Sequence, residues 1–170
     1  GLINIADTIS GYSIGILNIV KKGYHALAIS GNELLTFNAA YKTGNKKLYS
    51  SITIGGNLTE GSKAFAYGCG IGTERRLSAK TGLSVEAIVM HLYKGNANTA
   101  LLTRLETSFN WNISRKFTLF TGPSVSLLPV LPGPAATGYL PGIPGAALHT
   151  FPLPFNGAAW AGWQVGFHIF

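Results

Sequence analysis

Residues 101–112, LLTRLETSFNWN, alternate with a period of two. Leu101, Thr103, Leu105, Thr107, Phe109 and Trp111 fall on one side, and Leu102, Arg104, Glu106, Ser108, Asn110 and Asn112 on the other. A helix would scatter the two sets around its circumference, whereas a strand sorts them onto opposite faces. The run is twelve residues long. Ordinary globular strands have roughly 5–6 residues, and a tilted strand needs roughly 9–11 to cross a bilayer. An apolar face ending in an aromatic, backed by a face with Arg and Glu, suits a wall with lipid outside and polar groups inside. The pattern predicts an all-β fold, a closed antiparallel transmembrane β-barrel.

The rest of the chain repeats the theme. Strands are predicted at 24–30, 33–41, 47–56, 64–74, 81–92, 117–127 and 157–170, separated by Gly-, Asn- and Lys-rich turns. In 64–74, Phe65, Tyr67, Cys69 and Ile71 oppose Ala66, Gly68, Gly70 and Gly72. Glycines gathered on one face suit an interior where bulky neighbours need room. All eight prolines lie at or after Pro123, leaving the earlier ladders uninterrupted. Residues 1–6, GLINIA, return as 15–20, GILNIV. If these two copies join the wall the count is ten strands, and if not it is eight; either bore is narrow and filled by side chains. The 170 residues read as one domain, the C-terminal part of a longer chain with any export signal already removed.

Charged residues make up 11% of the chain, low against about 25% in soluble domains. The net charge of +7 raises nucleic acid as a partner, but the cations sit in or beside short turns and form no stripe interleaved with aromatics. A lone Cys69 and four scattered histidines offer no metal-ligand spacing, and no cofactor motif is present. With a periplasmic C-terminus, the turns 21–23, 43–46, 75–80 and 113–116 lie on the periplasmic side. The connections 7–11, 31–32, 57–62, 93–99 and 128–156 then lie outside. Short periplasmic turns and longer outer loops are the expected asymmetry.

Glu74, Glu86, Arg104 and Glu106 fall on the predicted interior face. They suit either an ion-conducting or catalytic cluster or, preferably, a salt-bridged plug, since a buried cation needs paired carboxylates. Tyr93, Trp111, Trp160 and Trp163 are expected to form an interfacial aromatic girdle. The uncharged loop 128–156, with Tyr139, Ile143, Phe151 and Phe155, is expected to fold over the mouth or dock on a partner. No nucleophile, base and orienting acid can be placed together, so no catalytic residue is assigned.

The opening GLINIADTISGYSIGILNIVKKGYH, the segment NELLTFNAAYKTGNKKLY, FTLFTGPSVSL and the closing GWQVGFHIF resemble Bacteroidetes-type outer-membrane barrels. Carriers of such barrels often place a carboxypeptidase regulatory-like or a secretin/TonB short domain before them. One departure is that Trp163, Val165, Phe167 and Ile169 share a phase from which Phe170 falls out. The expected function is non-enzymatic: an anchor or accessory subunit in outer-membrane lipid whose outer loops meet a protein partner or ligand. A rival is a surface-exposed lipid- or glycan-modifying enzyme, which needs His149 or His91 beside an interior carboxylate. A third is a soluble two-sheet β-sandwich with Phe65, Tyr67, Phe109 and Trp111 in a dry core.

Overall fold

The alternation of 101–112 begins two residues earlier, in a strand Thr99–Asn112 that the computed structural model places inside a closed ring. The structure describes residues 3–6, 17–20, 23–57, 65–93, 99–129, 147, 149–151 and 157–170. Its strands are β1 (Ile3–Ala6), β2 (Leu17–Val20), β3 (Tyr24–Asn32), β4 (Phe37–Asn45), β5 (Leu48–Gly56) and β6 (Phe65–Arg76). They continue as β7 (Thr81–Tyr93), β8 (Thr99–Asn112), β9 (Phe117–Pro129), β10 (His149–Phe151) and β11 (Gly157–Ile169). β3 to β9 form an antiparallel meander, and β11 pairs with both β9 and β3, which closes an eight-stranded barrel. Closure leaves no open edge, as a wall in lipid requires. β10 adds to β11 through Phe151 opposite Ala159, so the long connection carries a short strand of its own.

Period-two alternation is kept around the ring. Phe65, Tyr67 and Ile71 of β6, Leu101 and Leu105 of β8, and Trp163 and Val165 of β11 stand exposed on the outside. Their neighbours Ala66, Leu102, Arg104 and Gln164 are buried inside. Phe65, Tyr67 and Trp111 therefore face outward rather than into a dry core, which removes the β-sandwich reading. The interior glycines of β6 permit close packing. A Cβ on Gly68 would overlap the Val89 carbonyl oxygen and crowd Met90 on the adjacent strand. Gly68→Ala should therefore cost about 1–3 kcal/mol or more through overpacking, read as a lower denaturant midpoint of the folded barrel.

The two N-terminal copies are not part of the wall. β1 and β2 pair in parallel, Ile3 with Leu17 and Asn4 with Asn18, at the same fourteen-residue shift that relates them in sequence. β2 runs against β4 and β5. In that corner the outward-facing Thr43 and Ser50 are both 0% exposed, while Tyr41 and Ile52 beside them remain open.

Turn positions also shift. Asn45 pairs with Leu48, so the β4–β5 turn is only Lys46 and Lys47 rather than 43–46. Lys42 consequently belongs to the strand and points inward, 7% exposed, instead of lying beside a turn. The first hairpin turns not at 31–32 but at 33–36. There Asn32 Oδ1 accepts from the backbone N–H groups of Leu34 and Leu35. This side-chain turn stops the ladder and drops Glu33 and Leu35 toward the lumen.

Candidate functional site

The lumen changes character along its length. At the long-loop end Leu35, Ala66, Ile88, Met90, Leu92, Leu102, Leu128, Ala158 and Trp160 form an apolar cluster. Deeper in lies Arg104, carried by β8 on the inward phase and 1% exposed. Its Nε donates to Glu106 Oε1 at 2.7 Å. Nη1 donates to Glu33 Oε1 at 2.5 Å and Ser126 Oγ at 3.0 Å. Nη2 donates to Glu33 Oε2 at 3.0 Å and Ser124 Oγ at 2.7 Å. A guanidinium has five N–H groups, so all are committed.

Glu33 is equally saturated. Besides the bidentate Arg104 pair, Oε1 accepts the Trp160 indole N–H at 3.0 Å and Oε2 the backbone N–H of Trp163 at 3.2 Å. That last donor is available because β3 ends at Asn32, opposite Gln164, leaving Trp163 without a ladder partner on that side. Gly162 makes the approach possible, since a Cβ there would overlap the Glu33 carboxylate. Burial alone would raise the Glu33 carboxyl, but hydrogen bonds and charge from Arg104 hold it below the usual carboxylate range.

A second cluster lies further in. Glu86 faces Glu106 across the β7–β8 ladder, an arrangement of like charges that costs energy unless each finds a partner. Glu86 Oε2 accepts from Lys42 Nζ at 2.6 Å and Tyr49 Oη at 3.0 Å, and Oε1 from Ser51 Oγ at 2.5 Å. Both carboxylates border a polar cavity of about 30 Å³, room for a water or two and not for a passage. The third cluster is at the short-turn end, where Glu74 accepts from Lys46 Nζ at 2.6 Å and the Tyr24 hydroxyl at 3.2 Å.

Glu74, Glu86, Arg104 and Glu106 thus do not form one network. They are distributed over three clusters, and Glu33, Lys42 and Lys46 complete them. Glu33 was not legible as interior because it lies in a loop, outside the period-two phase. For Lys42 and Lys46 the residue balance was a readable signal, since three carboxylates on the inward phase against one Arg call for further cations.

The eight-stranded ring has solved counterparts. Its fold is that of outer-membrane barrels. The N-terminal β-barrel domain of Pseudomonas aeruginosa OprF aligns at a TM-score of 0.52 and 10% identity, covering 85% of this chain and 95% of that one. Neisserial surface protein A, NspA, aligns at 0.50 and 8%, covering 85% and 92%. By sequence the chain matches no family model and no curated protein. The likeness is one of fold.

Within this outer-membrane barrel fold the aromatic positions separate. Tyr93 and Trp111 stand outward at opposite ends of the barrel wall, each near the C-terminal end of its strand, and Trp111 packs edge-on to Phe109 at 4.8 Å. Trp163 is also outward, its indole N–H donating to Thr121 Oγ1 at 2.7 Å. Trp160 is not a girdle residue. It is 1% exposed and belongs to the luminal cluster, because it sits on the phase opposite to Trp163, where side chains turn inward. Phe151 is exposed on β10; Tyr139, Ile143 and Phe155 lie outside the described residues. His91 stacks on Tyr67 on the outer surface, ring centroids 5.6 Å apart, across the wall from the carboxylates. His149 packs on Phe151. The histidine-and-carboxylate arrangement that the enzyme reading needs is not formed by these residues. Among the described residues no group of three His, Cys, Asp or Glu converges for a metal.

Proposed function

We propose that this chain is a non-enzymatic outer-membrane barrel that acts as an anchor or accessory subunit, with its outer loops, chiefly 128–156, contacting a partner protein or ligand. One observation carries the reading: a lumen filled by the saturated Arg104–Glu33 plug beneath an apolar cluster, inside a wall whose outer face is apolar. Among the described residues the hydrogen-bonding groups of Arg104 and Glu33 are already committed to one another and to their neighbours, and the cavity beside Glu86 and Glu106 is too small for a solute path. The surface at the long-loop end is then the place for contact with a partner. Exposed Phe151, on a strand added to β11, supports that surface as a docking edge. Kinship to Bacteroidetes-type barrels rests on the sequence resemblance and is part of this proposal.

The test combines mobility and topology. Unboiled protein in detergent should migrate compactly and shift on heating. With Cys69→Ser as background, Phe151→Cys should react with a membrane-impermeant maleimide on intact cells. Deleting 131–146 should abolish crosslinking to the partner while the heat shift persists. Partition into the aqueous phase, or labelling only after lysis, would overturn the reading.

A further inference from the structure

At the short-turn end lies a cleft of about 420 Å³ lined by Lys46, Glu74, Arg76, Asn112, Arg115 and Phe170, among others. Its size falls within the roughly 300–1,000 Å³ typical of small-ligand sites, unlike the mid-lumen cavity. Its chemistry is one-sided. The carboxylate in it, Glu74, already accepts from Lys46 and Tyr24. Asn112 Oδ1 already accepts from Thr118 Oγ1 at 2.7 Å, which leaves its amide N–H groups as donors. Arg76 is braced from behind, Nε to the Ser78 carbonyl at 2.8 Å and Nη2 to the Ala79 carbonyl at 3.1 Å. Its Nη1 donors make no bond among the described residues. Arg115 likewise has no ion pair among them. Glu74 and the Asn112 oxygen are thus already engaged, while Arg76 Nη1, the Arg115 guanidinium and the Asn112 amide N–H groups donate to nothing among the described residues.

The field around the cleft has the same sign. Lys47, Lys80 and Lys116 occupy the turns of the same rim, and such a cluster focuses potential into a concave mouth. We propose that this mouth binds a phosphate-bearing anion, gripped by Arg76 and Arg115. A braced guanidinium suits a phosphate because it presents paired donors at fixed geometry. A lipid phosphodiester and a soluble phosphate share that chemistry.

Purified barrel in neutral detergent is titrated with inorganic pyrophosphate. It is also reconstituted in nanodiscs of phosphatidylcholine with or without phosphatidylglycerol, with thermal stability as the readout. The variants are Arg76→Ala/Arg115→Ala together and, as a control on the outer wall, Arg75→Ala; retention of the heat-modifiable band shows that each folds. Saturable pyrophosphate binding weakened at least about tenfold in the double variant alone supports the site with a soluble source. A phosphatidylglycerol-dependent stabilisation lost in the double variant, without pyrophosphate binding, supports it with a lipid source. Identical behaviour of wild type and double variant toward both probes overturns it.

Discussion

Arg104→Met is expected to lower the unfolding free energy by about 3–5 kcal/mol, the usual consequence of removing one partner from a buried ion pair. The guanidinium satisfies two carboxylates and two hydroxyls at once. Its loss leaves the buried Glu33 carboxylate without its cation and takes the ion-pair partner from Glu106. Denaturant unfolding of the barrel, followed by the fraction that keeps compact mobility, measures the change. Glu33→Gln should cost less, because the amide keeps one acceptor for Trp160 or Arg104 while removing the charge. Combining Glu33→Gln with Arg104→Met should cost clearly less than the sum, since the second change then removes a partner already weakened. Additive losses would mean that the two side chains do not act on each other.

The second large effect separates two tryptophans three residues apart. Trp160→Ala should cost about 3–5 kcal/mol, because a fully buried indole leaves a cavity that its neighbours fill only partly. It also strips one donor from Glu33. Trp163→Ala, on the outer wall, should cost roughly 1 kcal/mol, mainly the hydrogen bond to Thr121. Equal losses at both positions would place Trp160 on the outer surface and undo its assignment to the lumen. Indole fluorescence gives a second measurement: a lipid-phase quencher should act on the emission that Trp163 contributes and spare that of Trp160.

The wall of this barrel was written in its alternation. A period of two puts successive side chains on opposite faces whatever the neighbours do. Residues 101–112 and 64–74 therefore declared their inner and outer sets, and Glu86, Arg104 and Glu106 could be placed inside from phase alone. The asymmetry of short turns and long connections, and the closed antiparallel fold, followed from the same local rules. What phase could not tell was where a strand stops. Lys42 read as a turn residue because lysines and glycine follow it, yet the ladder continues to Asn45 and carries its ammonium to Glu86.

Pairing across the ring settled the remainder. Glu33 enters the lumen because Asn32 ends β3 and frees the Trp163 N–H opposite; the carboxylate then meets Arg104, seventy-one residues away. No window of sequence contains that encounter. The N-terminal copies are similar: their repeat was visible, but only the parallel register of β1 with β2 and the contact with β4 and β5 showed that they lie outside the ring. Local alternation determined which face each strand residue takes. Ring closure decided which of those residues meet, because contacts in a barrel depend on register between strands distant in the chain.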